Sequence, residues 1–254
     1  ELKESARHLL MVEKYSPELI AAFWEKEGTD GVNHETLYKW IWKAKFSNYK
    51  DFKYDQLLYK ELKHGKRRRK RGNYKDSRGG IKNRVPISER PSVVHKRERI
   101  GDIEVDLMIG KDHKSALLVL TDRASLITGL EKLESKDAAV VAEAIEKRLS
   151  RMNKSWIKTL TYDNGKEFAF HESISEKTGA KAYFTRPYTL QEKGTVENRI
   201  GVIRRFLPKK TDLNKINCEK IREIERSINN RPIRKFGYLS PIEVLKNRCV
   251  AFMG

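Results

Sequence analysis

The chain has 254 residues, 38% of them hydrophobic and 35% charged, with 54 Lys and Arg against 35 Asp and Glu for a net charge of +19 and a pI near 9.8. That balance attracts polyanions, nucleic acid foremost, and the length allows one substantial core plus a smaller one. No apolar run reaches the roughly 18 residues a membrane helix needs and no signal-peptide pattern opens the chain, so the expectation is a soluble, cytoplasmic, nucleoid-associated protein with no membrane partner.

The first residue is Glu1 rather than Met, and upstream residues are expected to have been removed. Residues 1–45 read as a small all-α domain. Ser16 is placed to cap a helix with Pro17 at its first position, and Leu19, Ile20 and Phe23 then fall on one face through about Glu27. Gly28 and Gly31 break it, and Asn33 can cap a second helix in which Leu37, Trp40 and Ile41 recur at i, i+3, i+4. Two short helices joined by a glycine-containing turn suggest a helix-turn-helix, whose second helix enters the major groove. His34, Glu35, Thr36, Tyr38 and Lys39 are left to meet DNA, whereas Trp40 and Ile41 read as core.

Charge concentrates next. Residues 60–99 hold 16 Lys/Arg and 4 Asp/Glu, which supplies +12 of the +19, and they centre on Lys66, Arg67, Arg68, Arg69, Lys70 and Arg71. Such a segment cannot bury enough apolar surface to fold alone. Residues 46–99 are therefore read as a basic linker lying along a phosphate backbone; the alternative is a solvated tail.

From residue 100 the periodicity is that of strands. Ile103, Val105, Leu107 and Ile109 alternate with Asp102, Glu104, Asp106 and Met108, which puts three carboxylates on one face of one strand, costly without cations. Strands at 116–120 and 126–133, a helix at 136–149, a strand at 157–162, a helix near 167–178, a strand at 180–184 and a long helix from about Gln191 to Phe206 follow. This order predicts a mixed sheet flanked by helices, in the manner of the ribonuclease H fold, over residues 100–254. A helix is also read from Asn217 to Asn229. Cys218 and Cys249 have no CxxC spacing and no neighbouring His, so they are read as ordinary buried or half-buried thiols. His95, His113 and His171 are read as surface residues.

Three carboxylates in separate contexts, Asp106, Asp163 in TYDNGKEF and Glu197 in QEKGTVENRIG, form the candidate ligand set for a hard, oxygen-preferring cation such as Mg²⁺. Asp163 could instead be a turn former before Asn-Gly, but the carboxyl end of a central strand is where open α/β sheets place ligands. Glu197 could be an exposed helical residue, yet it shares a face with Ile200, Gly201 and Arg204. Asp102 and Glu104 are read as exposed polar residues at the start of the strand. The interpretation requires Asp106, Asp163 and Glu197 to meet in space.

The stretch from Ile100 through Leu133, TLTYDNGKEFAFHESI, RPYTLQEKGTVENRIGVIRRFLPKKTDL and NNRPIRKFGYLSPIEVL resemble the bacterial insertion-sequence transposases of the DDE, retroviral-integrase-like superfamily, nearest the insertion sequence thirty family. SPELIAAFW and VNHETLYKWIW are similar to that family's helix-turn-helix. The spacing of 57 residues from Asp106 to Asp163 and 34 from Asp163 to Glu197 carries much of the resemblance. It implies that Asp106, Asp163 and Glu197 are the metal-binding triad. The chain departs from the family where a Trp is expected before a Glu-Gly-Asp step and Asp102-Ile103-Glu104-Val105-Asp106 stands, and where Pro-Trp-Gln-Arg-Gly is replaced by Thr189-Leu190-Gln191-Glu192-Lys193-Gly194.

The expected mechanism uses two Mg²⁺ ions, with Mn²⁺ as substitute, about 3.5–4 Å apart and bridged by Asp106. Water as nucleophile nicks the element's end, and the freed 3′-hydroxyl gives strand transfer into target DNA. Lys193, Arg199, Arg204 and Arg205 are expected to position phosphates, residues 1–45 to recognise terminal inverted repeats, and a homodimer or higher oligomer to act on two ends. The competing readings are a metal-dependent nuclease of the same fold and a catalytically silent DNA-binding regulator.

Overall fold

A computed structural model describes residues 1–46, 54–62, 81–113, 115–186 and 190–250. The chain divides into two compact units, residues 1–74 with 231–240 and residues 75–230 with 241–254.

The first unit contains α1 (Leu2–Met11), α2 (Pro17–Glu27) and α3 (His34–Phe46). Ser16 Oγ accepts from Leu19 N at 3.4 Å, Pro17 occupies the first helical position, and Gly28 ends α2 at φ 65°, in the left-handed region that glycine adopts without a Cβ penalty. Asn33 Oδ1 accepts from Thr36 N at 2.9 Å and opens α3. The core joins Ala6, Leu9 and Leu10 of α1 to Leu19, Ile20 and Trp24 of α2, Leu37 and Ile41 of α3, and Leu58. Arg7 forks onto Asp55 at 2.6 and 3.1 Å, and Arg231 lies over the Tyr15 ring at 5.2 Å. α1 was not anticipated, although Ala6, Leu9 and Leu10 stand at the i, i+3, i+4 spacing of a buried stripe.

The second unit is a five-stranded mixed sheet in the order β3-β2-β1-β4-β5. Its strands are β1 (Asp102–Ile109), β2 (Ala116–Asp122), β3 (Thr128–Leu133), β4 (Thr159–Tyr162) and β5 (Lys181–Phe184). β1, β2 and β3 form an antiparallel meander, while β4 lies parallel to β1 and β5 parallel to β4. That order and those directions are the ribonuclease H-like fold. Before the sheet comes the short α4 (Ser92–Lys96); α5 (Ala138–Leu149) and α6 (His171–Thr178) follow β3 and β4, and α7 (Gly194–Phe206), α8 (Cys218–Asn230) and α9 (Pro241–Val250) close the unit.

Alternation along β1 sends Ile103, Val105 and Leu107 into a core with Val141, Ile145 and Leu149 of α5 and Ile174 of α6. The other face packs Met108, Leu117 and Val119 against Val196 and Ile203 of α7 and Ile221, Ile224 and Ile228 of α8. Gly101, immediately before β1, has φ +99°, and a Cβ there would lie 1.5 Å from Trp156 O. Its carbonyl accepts from Lys158 N and Thr159 N at 2.9 and 3.1 Å, and its N–H donates to Asp122 Oδ2 at 2.8 Å.

The expected domain limits at 45 and 99 differ from these units. Leu58 belongs to the first core, while Ile87, Arg90 and Val94 are buried and Pro86 bridges to Phe184 on the edge strand of the second. Apolar residues spaced among the charges let the ends of the basic segment pack. Cys218 is exposed, His171 is buried with its Nε2 3.1 Å from Lys82 O, and neither matches its sequence reading. No helix among the described residues is long and apolar enough to cross a membrane.

Candidate active site

Parallel pairing of β1 with β4 matches Asp102 to Thr159 and Glu104 to Thr161. Continuing that register by two residues sets Asp106 beside Asp163, and side chains in register on parallel strands share a face. The 57-residue spacing from Asp106 to Asp163 is thus the offset of the strand pair itself.

Three polar rungs result. On the first, Asp102 accepts from Arg99 Nε and Nη2, both at 2.9 Å, and from Thr159 Oγ1 at 2.8 Å. On the second, Glu104 pairs with Arg123 and accepts from Val196 N at 2.7 Å, while Arg90 Nη1 donates to Thr161 Oγ1 at 3.0 Å. Burial, with the neighbouring Arg123 adding to it, pushes the Arg90 guanidinium down to about 10. On the third, Lys193 Nζ lies 3.3 Å from Asp106 Oδ1 and 3.5 Å from Asp163 Oδ2, and donates to Val105 O at 3.1 Å.

Exposure rises along this seam. The side chains of Asp102 and Glu104 are 1% and 0% exposed, Asp106 is 20% and Asp163 43%. Asp102 and Glu104, read as exposed strand-start residues, are among the most deeply buried carboxylates of the fold. Each tolerates burial because a guanidinium and hydroxyl or amide donors satisfy it. Burial pushes the Asp106 carboxyl above its ordinary range, Lys193 pulls it back, and the neighbouring Asp163 charge adds to the rise. Asp163 Oδ1 also accepts from Gly165 N at 2.9 Å, the turn expected of Asp-Asn-Gly.

Glu197 stands in the first turn of α7, half-buried, one residue beyond the Val196 amide that Glu104 holds. The structure brings Asp106 and Asp163 together on Lys193. Among the described residues no group of three or more His, Cys, Asp or Glu lies close enough to hold one metal ion, so Glu197 is not gathered with them.

Two of the expected phosphate contacts face inward. Lys193 has a side chain 6% exposed. Arg199 is buried, donating to Thr128 Oγ1 and Ile228 O, both at 2.9 Å, and burial pushes it down to about 10. Its polar head ties α7 to β3 and α8, which helical periodicity alone does not reveal. Arg204 is half-buried and donates to Ile109 O at 2.7 Å; Arg205 is half-buried. His34, Glu35, Thr36 and Lys39 are exposed on α3. Tyr38 is half-buried, donating to Glu18 Oε1 at 2.9 Å, and burial with that bond pushes its phenol up to about 12. Lys66, Arg67, Arg68, Arg69, Lys70 and Arg71 lie outside the described residues.

The five-stranded order is that of a ribonuclease H-like sheet, with Asp106 within β1 and Asp163 just past the end of β4 sharing one lysine. No family model matches the chain. It is 42% identical over 237 residues to the transposase of insertion sequence element IS4351 from Bacteroides fragilis, an alignment covering 93% of this chain and 71% of that one. It is 34% identical over 244 residues to the IS1086 transposase of Cupriavidus metallidurans, covering 94% and 70%, and 30% identical over 239 residues to transposase InsI of IS30A from Escherichia coli, covering 92% and 61%. The chain belongs to this family of insertion-sequence transposases, and its function is DNA transposition.

Proposed function

We propose that strand cleavage and strand transfer take place at Asp106 and Asp163, with Glu197, which the structure does not gather with them, joining as the third carboxylate when Mg²⁺, or Mn²⁺ in its place, is bound as cofactor with two ions per site. The observation that supports this reading is the pair of aspartate carboxylates flanking one cationic group at the open end of an otherwise neutralised seam. Two carboxylates share a single ammonium, so the rung keeps a net negative charge and hard oxygen donors, the chemistry that suits Mg²⁺.

Asp106 and Asp163 present their oxygens from paired strands, and Glu104 holds the Val196 amide so that the turn carrying Glu197 stays against β1. A divalent cation held there by Asp106 and Asp163 would supply activation of the attacking oxygen and stabilisation of the leaving oxygen. Attack by water yields a nicked element end, and attack by the freed 3′-hydroxyl joins that end to target DNA.

Substrate recognition is assigned to the helix-turn-helix, with His34, Glu35, Thr36 and Lys39 of α3 facing the groove and Tyr38 braced by Glu18. Lys66, Arg67, Arg68, Arg69, Lys70 and Arg71 are assigned to the phosphate backbone, and Arg204 and Arg205 to phosphates near the site. Lys193 and Arg199 are withdrawn from the DNA surface because both are buried. Two ends handled together call for at least a dimer.

The test compares cleavage of a labelled inverted-repeat end with that of an arbitrary duplex and an RNA–DNA hybrid, in Mg²⁺ and in EDTA. End-specific nicking in Mg²⁺ alone, lost in Asp106→Asn, Asp163→Asn and Glu197→Gln, is the expected result. Equal cutting of all three substrates would establish a simple nuclease instead.

A further inference from the structure

We propose that Lys193 is the built-in counter-cation of the aspartate pair, and that a divalent ion enters only by displacing its ammonium, so that metal affinity is set by competition within the chain. This rests on the assignment of Asp106 and Asp163 as metal ligands.

The position of Lys193 is built rather than incidental. It ends the short 3₁₀ turn Leu190–Lys193 and immediately precedes α7, and its side chain is 6% exposed. Its three ammonium protons face three acceptors, Val105 O at 3.1 Å, Asp106 Oδ1 at 3.3 Å and Asp163 Oδ2 at 3.5 Å. The same two carboxylates are the oxygens a bridging cation would contact.

A divalent ion and an ammonium cannot share that space without strong repulsion. One of them must leave. The ammonium prevents two like charges on adjacent strands from repelling each other, and for the same reason it weakens metal binding. Once displaced, it is a flexible point charge beside the site.

Calorimetric titration of the full chain with MnCl₂ tests the competition. Lys193→Met and Lys193→Gln are expected to bind Mn²⁺ about tenfold or more tightly than wild type, a substantial fraction of the close-range charge interaction removed, and Lys193→Arg to keep the wild-type affinity. Unchanged or weaker binding in Met and Gln variants that melt like wild type overturns the proposal and leaves the metal site standing. Binding that is saturable in no chain, or that survives Asp106→Asn and Asp163→Asn, overturns the metal site and the proposal together. A measurement on the unaltered chain guards against variants that fail to fold: acylation of Lys193, read by mass spectrometry, should accelerate on adding Mg²⁺, and an unchanged rate overturns the proposal.

Discussion

The inner and outer ends of the seam between β1 and β4 are built from the same kinds of residue but do opposite things. Inward, Asp102 and Glu104 are each matched by guanidinium groups, from Arg99 and from Arg123 with Arg90 nearby, and are closed to solvent. Outward, Asp106 and Asp163 share one ammonium and face solvent. Full neutralisation with burial makes a carboxylate structural; partial neutralisation with exposure makes it available to a ligand. One strand thus passes from fully paired, buried carboxylates to a partly neutralised, open one within four residues.

The largest expected effect breaks the outer rung. Asp106→Asn should lower Mg²⁺-dependent nicking by about a thousandfold or more, since metal assistance contributes several kcal/mol to the transition state, while thermal melting moves by less than about 1 kcal/mol in stability. A variant that loses both would erase the distinction between the two ends. Next, Arg123→Met should cost about 3–5 kcal/mol of stability by leaving Glu104 without its buried partner, measured as the midpoint of denaturant unfolding. A loss under ~1 kcal/mol would mean that the second rung is not held by that pair.

Smaller changes sharpen the contrast. Arg199→Ala removes two bonds from a buried guanidinium and should cost roughly 2–3 kcal/mol of stability, with the affinity of the folded protein for element ends unchanged in a gel-shift titration. Thr159→Val deletes one of three bonds on Asp102 and should cost about 1 kcal/mol, visible in the same unfolding experiment, with nicking retained.

Much of this organisation is legible in the sequence. The Ser16-Pro17 start gave α2 its observed bounds, and the alternation from Asp102 to Ile109 placed β1. The sequence reading set Asp106, Asp163 and Glu197 together; the parallel pairing of β1 with β4 turns the 57-residue separation into an offset that puts Asp106 beside Asp163, while Glu197 is not gathered with them. What escaped was pairing over distance. The row Asp102, Glu104, Asp106 has the look of a solvent face until its cations are known. Arg123 and Lys193 lie 19 and 87 residues from their partners Glu104 and Asp106, beyond any local period. The inward course of Arg199 and Lys193 was missed for that reason, since a basic residue on an amphipathic helix reads as surface until a distant acceptor claims it. α9 was missed despite a signal: Ser240-Pro241-Ile242-Glu243 repeats the opening of Ser16-Pro17-Glu18.

Gly101 touches neither Asp106 nor Asp163, yet it is the datum from which their register is measured. Its carbonyl grips Lys158 and Thr159 at the entry to β4, and its bare α-carbon lets the Trp156 backbone pass where a methyl cannot fit. Any larger residue there would shift one strand along the other and dephase Asp106 from Asp163 without altering either. This one unadorned position, five residues upstream of Asp106, holds that register.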